Sequence, residues 1–240
     1  MKSLLLTSPY RLQWVEEPKR DLMPCEVLVE TIASSISIGS ELPQYEGQAR
    51  LGYSVTYPKM TGYENVGYVI QIGSAVTALE VGQRVIAFYG YRTQAIVPQD
   101  SVVPIGDDIS DQQAILTILS CDVAKGIRKL RPLPEERVLI TGCGAIGLLA
   151  VFVLSAYGVR HVDVVEPLKN RRELALDLGA KAAISLEAAN ALESRYDAGL
   201  ECSGYQSGFE VLQTQAKPNT RIAVISDGNR EPLVLTPDFH

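Results

Sequence analysis

Histidine is almost absent from this chain. Its 240 residues include two, His161 and His240, so the first 160 positions hold none. Those positions therefore lack the side chain most often used as a general base and as a metal ligand. Cysteine is scarce too. Cys25, Cys121, Cys143 and Cys202 include no C-x-x-C pair, so neither a zinc knuckle nor a disulfide framework is indicated. No apolar run reaches the ~18 residues of a membrane span. The opening Met1-Lys-Ser-Leu-Leu-Leu-Thr-Ser-Pro9 has too short an apolar segment for a secretory signal. Positive charge is in deficit: the formal net charge is −6, which argues against a nucleic-acid or anionic-membrane partner. The chain reads as cytoplasmic, with a small molecule as its partner. Hydrophobic residues make up 46% and charged residues 21%, so a packed fold of one large or two modest domains is expected.

What is present centres on residues 137–166. Val138–Thr141 is a short apolar run, suited to a strand buried on both faces. Gly142, Gly144 and Gly147 follow it in G-x-G-x-x-G spacing. An almost wholly apolar stretch from Ile146 to Tyr157 reads as a helix packed under a sheet. A second strand at His161–Val165 ends on Glu166. The physical roles are separable. Gly142 permits the tight strand-to-helix turn, Gly144 lets a pyrophosphate approach the backbone, and Gly147 brings helix and strand together. Ala145 and Ile146 lie at the helix N-terminus, where free N–H groups attract phosphates. A carboxylate at Glu166 accepts bonds from the adenosine ribose hydroxyls and repels a 2′-phosphate, which favours NAD over NADP.

Around this motif the chain divides into three stretches. Residues 1–110 read as a β-rich domain with strands at Lys2–Thr7, Leu12–Glu16, Glu26–Ile36, Val66–Gly73, Arg84–Ala87 and Thr93–Pro98. Val66, Tyr68, Ile70 and Ile72 form one face of the fourth strand by period-2 alternation. Residues 39–61 show no clear periodicity and read as a long functional loop. Residues 111–134 form a connecting helix, Asp111–Leu130 with Ser110 as N-cap, and a Pro-rich boundary. Residues 135–240 alternate strand and helix: after Glu166 come a helix at Asn170–Gly179, strands at Ala182–Ser185 and Ala198–Cys202, a helix at Gln206–Ala216 and a strand at Arg221–Ile225. That alternation predicts a doubly wound parallel sheet, α/β beside β. It yields five strands where a full dinucleotide fold has six, so a C-terminal part is expected to be missing.

Several motifs carry a resemblance. Gly62-Tyr-Glu-Asn-Val-Gly67 resembles G-H-E-x-x-G, and Gly73–Val85 is similar to a G-x-x-V-x-x-x-x-x-G-D-R-V stretch. Leu178-Gly-Ala180 and Glu201-Cys-Ser-Gly204 also match landmarks of the medium-chain dehydrogenase/reductase superfamily, the group of zinc-type alcohol dehydrogenases. The resemblance spans the whole chain. It implies a GroES-like β-domain, a Rossmann domain and an active site in the cleft between them. Dimers pairing through a sheet edge are common in the superfamily, so the resemblance also allows a homodimer. The superfamily's catalytic zinc uses Cys, His and Cys, and the matching positions here are Ile38, Tyr63 and Cys121. No metal is therefore expected, and Cys121 is read as a small buried side chain. Ile36-Ser-Ile-Gly-Ser-Glu41 together with Gly62–Gly67 looks closest to a zinc-less branch, that of bacteriochlorophyllide a dehydrogenase.

Hydride transfer from an alcohol still needs a group to take the hydroxyl proton. The resemblance puts Ser40 at a proton-relay hydroxyl and Tyr63 at the vacated histidine position, so these two are the catalytic candidates. Lys125, if close to Tyr63, would lower the phenol's pKa of ~10; otherwise it is a solvated helix residue. Arg171 matches a ribose-contacting position, or else is an exposed helix arginine. Cys202 and Ser203 end a strand at the ligand crevice, and Cys143 and Cys202 read as packing residues. The expectation is a zinc-independent NAD-preferring oxidoreductase of secondary alcohols and ketones. Two alternatives stand beside it: an NADPH-dependent quinone or enoyl reductase, and a catalytically inactive dinucleotide-binding protein.

Overall fold

The computed structural model describes residues 1–48, 54–189, 195–226 and 231–237. The chain forms two compact units, Met1–Ile118 and Leu119–His240.

In the first unit, β1 (Lys2–Ser8) and β2 (Arg11–Glu16) form an antiparallel hairpin. The chain continues through β3 (Glu26–Ser35), α1 (Ile38–Tyr45), β4 (Lys59–Met60), β5 (Glu64–Ile72), β6 (Arg84–Ala87), β7 (Gln94–Pro98), β8 (Val102–Pro104) and α2 (Asp111–Ala114). β4 adds to the free side of β1, and the remaining strands form an antiparallel sheet in the order β7-β3-β5-β6-β8. Val27, Val29, Val69, Val85, Ala87, Ala95 and Val97 bury one face of that sheet in a core cluster. Val66 belongs to a different cluster, with Ile86, Ile105 and Ala114.

Three sequence expectations change here. The face assigned to β5 does not hold as a unit: Val69 is buried while Tyr68 is exposed. The pairing of β5 with β3 shifts register at Leu28/Val29 and again at Thr31/Ala33. Each bulge resets the alternation that a period-2 reading assumes. Within 39–61, the described residues hold α1 and β4 rather than a loop throughout, and residues 49–53 lie outside the described part. Gly39 and Pro43 disguise α1, because both are poor helix formers. Finally, the single helix Asp111–Leu130 is two: α2 and α3 (Thr117–Leu130). Ser110 does cap α2, in a reciprocal box with Gln113. The break falls where Ile115 and Ile118 pack on the Val66 cluster and the buried stripe Leu119, Val123, Ile127, Leu130 begins.

The second unit adds β9 (Arg137–Thr141), α4 (Ala145–Ala156), β10 (His161–Val165), α5 (Lys169–Asp177), β11 (Ala182–Ile184), α6 (Leu186–Ala189), β12 (Tyr196–Glu201), α7 (Gln206–Thr214) and β13 (Ala216–Val224). The five strands pair in parallel in the order β11-β10-β9-β12-β13. The chain starts in the middle of the sheet, builds to one side, then crosses back to the other. That reversal beside β9 creates a crevice at the strand ends, where ligands bind in such folds. Val138, Ile140, Ala150, Val151, Leu154, Val164 and Leu200 form the core against α4. Gly179 ends α5 with φ +109°, as expected of a C-terminal glycine. No helix among the described residues is long and apolar enough to cross a membrane.

The α4 interface gives a direct test of the packing. Leu154 is fully buried while Phe152, on the same helix, is exposed. Leu154→Ala is expected to cost ~3 kcal/mol, and Phe152→Ala under ~1 kcal/mol. Urea denaturation of the two variants measures both.

Candidate functional site

In the second unit the glycine turn is built as its spacing demands. Gly142 has φ +84°, and a Cβ there would lie 2.6 Å from the Ser203 Cα. A Cβ on Gly147 would overlap the Gly142 carbonyl oxygen. Around Gly144 nothing lies within 4 Å of the place where a Cβ would be. Gly142 and Gly147 are thus required by the protein's own contacts, whereas Gly144 borders open space of the kind a phosphate needs. Gly144 is also the N-cap of α4 and provides no side-chain cap. The N–H groups of Ala145, Ile146 and Gly147 therefore start the helix without intrahelical partners.

Glu166, 3% exposed, closes the other side of this turn. Its Oε2 accepts the Cys143 N–H at 2.6 Å and its Oε1 accepts the Leu168 N–H at 3.0 Å. The carboxylate is held in one orientation, and each oxygen keeps a second lone pair for a ligand hydroxyl. Arg171 is exposed at the start of α5, and its charge acts on the Cys143 thiol, which puts it beside the turn. Its neighbour Arg172, which sequence reasoning passed over, donates to the carbonyls of Glu166 (2.7 Å) and Pro167 (2.6 Å). Glu173 pairs with Lys169 at 3.7 Å.

Glu201 was also passed over as a site residue, although it opens the Glu201–Gly204 landmark. It is fully buried. Its Oε1 accepts the N–H groups of Ser203 (2.7 Å) and Gly204 (3.0 Å) and the Ser203 hydroxyl, and its Oε2 accepts the Ser226 hydroxyl. Cys202 and Ser203 are thereby set against the glycine turn, Ser203 directly under Gly142. The only available signal was a glutamate in an otherwise apolar strand end. Burial and Glu166 push the Cys143 thiol up to about 12, and burial with Glu201 raises Cys202 well above its usual value. Both stay protonated and pack, as their sequence context suggested.

In the first unit, Ser40 on α1 and Tyr63 just before β5 meet: their hydroxyl oxygens are 2.9 Å apart. Tyr63 stacks on Phe88 with ring centroids 5.4 Å apart. Phe88, Ile36 and Ile38 are exposed at this end of the sheet. Burial raises the Tyr63 pKa. The Ser37 and Ser40 hydroxyls lower it, and the negative charges of Glu64 and Glu41 raise it further. In the second unit, the Lys125 Nζ pairs with Asp122 at 3.1 Å on an exposed face of α3. Glu64 is buried at the start of β5 and accepts the Ser35 hydroxyl.

The three positions matching a catalytic zinc set do not fit one. Ile38 offers no donor atom and Tyr63 offers a protonated phenol. Cys121 is exposed rather than buried as expected, because it falls off the Leu119–Val123–Ile127–Leu130 stripe of α3. No group of three His, Cys, Asp or Glu residues among the described ones is arranged to hold a metal ion.

Comparison with known proteins bears on the fold. Residues 23–107 match the alcohol dehydrogenase GroES-like domain family. L-threonine 3-dehydrogenase of a Chelativorans species is 26% identical over 94% of this chain and 76% of its own length, and that of Shewanella sediminis is 28% identical over 94% and 77%. Among solved structures, a Sinorhizobium meliloti dehydrogenase bound to NADP superposes with a TM-score of 0.85 at 20% identity, covering 98% of this chain and 80% of that one. An Escherichia coli alcohol dehydrogenase complexed with NADH gives 0.80 at 24%, covering 93% and 75%. The 2R,3R-butanediol dehydrogenase of Bacillus subtilis gives 0.81 at 20%, covering 99% and 80%. These structural likenesses establish the fold.

The thiols provide a check on the site's geometry. Cys25 and Cys121 are exposed, Cys143 is buried and Cys202 is half-buried among groups that hold it protonated. Ellman's reagent at pH 8 should titrate two thiols quickly in the native chain and four after denaturation. Fast modification of Cys143 or Cys202 would contradict the packing described.

Proposed function

We infer that this chain, an alcohol-dehydrogenase-type member of the medium-chain dehydrogenase/reductase superfamily, transfers hydride between NAD and a secondary alcohol or ketone without zinc. The observation that carries the reading is the Ser40–Tyr63 hydroxyl pair at 2.9 Å, Ser40 matching the superfamily's proton-relay hydroxyl and Tyr63 the position of its metal-binding histidine. The finer likeness to the superfamily's zinc-less branch belongs to the same reading, as do a cytoplasmic location and a dimeric state.

The second unit supplies the dinucleotide side of the proposal. The open space at Gly144 and the N–H groups of Ala145, Ile146 and Gly147 suit a pyrophosphate. Glu166 suits two ribose hydroxyls and opposes a 2′-phosphate. Ser203 and Cys202 would line the crevice, and Arg171 would contact the adenosine ribose. When bound, the nicotinamide supplies or accepts the hydride.

Proton handling falls to the first unit. Because the Tyr63 pKa is raised, the phenol is a donor at neutral pH. It hydrogen-bonds to the substrate oxygen and stabilises negative charge as this develops, while Ser40 relays the proton. In the oxidation direction the phenol must first lose its proton. A raised pKa then makes the ionised fraction grow about tenfold per pH unit up to that pKa. Ketone reduction needs the protonated form and is flat over the same range. The rival NADPH-dependent reductase gains support from the paired Arg171 and Arg172 near Glu166.

Three outcomes are expected. Fluorescence titration of metal-free protein should show tighter binding of NADH than of NADPH, with the preference reduced in Glu166→Ala; the opposite preference would favour the rival. In a screen of secondary alcohols and ketones, Tyr63→Phe should lower kcat about 10²-fold with little change in dinucleotide binding. Alcohol oxidation should rise through pH 9 without a plateau, and a plateau near pH 7 would show that a different group takes the proton.

A further inference from the structure

Glu41 lies beside Ser40 on α1, and its two carboxylate oxygens reach three separate places. Oε1 accepts the Ser37 N–H at 2.8 Å and the Tyr91 hydroxyl at 2.9 Å, and Oε2 accepts the Gly62 N–H at 3.0 Å. Ser37 is the N-cap of α1 and has no side-chain capping bond, so Glu41 fixes the start of the helix that carries Ser40. Gly62 immediately precedes Tyr63 and has φ +78°, and a Cβ there would overlap the Tyr91 ring. The same Tyr91 hydroxyl lies 2.7 Å from the Ser35 carbonyl, so its single proton is shared between that oxygen and Glu41 Oε1. One carboxylate thus ties the helix bearing one hydroxyl to the turn bearing the other.

We propose that Glu41 is the positioning residue of the Ser40–Tyr63 pair, setting the distance between the two hydroxyls. The proposal rests on the catalytic reading of that pair. It assigns Glu41 no contact with substrate or cofactor. A glutamine of the same shape has a single carbonyl oxygen and an amide that cannot accept. It must give up either the Gly62 N–H or the Ser37 and Tyr91 donors, and the charge goes with it. The other ionisable groups facing Tyr63 are Glu64, from β5, and Tyr91, from the β6–β7 connection. Both remain in the glutamine variant.

The test follows Tyr63 itself, independently of turnover. The full chain is labelled with [13Cζ]tyrosine, the Tyr63 resonance is assigned by its loss in Tyr63→Phe, and its ionisation is followed by NMR against pH. In Glu41→Gln, which loses a carboxylate acceptor and its negative charge, the resonance should shift and the ionisation should move to lower pH. In Tyr91→Phe, which keeps the carboxylate but removes one of its donors, the resonance should shift while the ionisation moves much less. If neither variant moves the Tyr63 resonance or its titration, the positioning role is overturned. If Glu41→Gln unfolds, Tyr91→Phe and Glu41→Asp decide instead: a native-like titration in both would overturn the proposal. The underlying reading fails separately, if Tyr63→Phe keeps full kcat in the secondary-alcohol screen.

Discussion

A carboxylate that accepts hydrogen bonds from two stretches of chain acts as a cross-link whose strength depends on its being desolvated and fully bonded. Three such groups hold the candidate functional parts of this protein. Glu41 joins the N–H groups of Ser37 and Gly62, Glu166 those of Cys143 and Leu168, and Glu201 ties the N–H groups of Ser203 and Gly204 to the Ser226 hydroxyl. Each stands at the end of a strand or the beginning of a helix, where the backbone has donors to spare. Each therefore ties a loop, ordinarily among the least constrained parts of a chain, to a neighbouring element.

The chemistry follows from what these cross-links hold. In the second unit they leave a glycine turn pressed against Ser203 on one side and open at Gly144 on the other. In the first they bring two neutral hydroxyls to 2.9 Å beside the negative charges of Glu64 and Glu41. Such surroundings keep a phenol protonated.

Much of this was legible in the residues themselves. Local spacing carried the second unit: a strand, three glycines, an apolar helix and an acid at the next strand end describe interactions between near neighbours. All five strands and their parallel alternation followed. The first unit was harder, because its determinants are distant in sequence. The bulges that reset β5 arise in its pairing with β3, about forty residues earlier. Helix α1 is concealed by Gly39 and Pro43. That Glu41 meets Tyr91 across fifty positions could not be read from either segment alone. Cys121 illustrates the opposite case. Helical periodicity on Leu119, Val123 and Ile127 places it off the buried stripe, a local signal that overrides the general tendency of free cysteine to be buried.

The uneven exposure of the thiols has a practical side. Cys25 is exposed in the first unit and Cys121 in the second, while the other two are screened by their surroundings. The native sequence therefore carries one attachment point for a spectroscopic label on each unit, without engineering. A donor–acceptor pair placed there would convert any movement of one unit against the other, on adding a dinucleotide or an alcohol, into an optical signal.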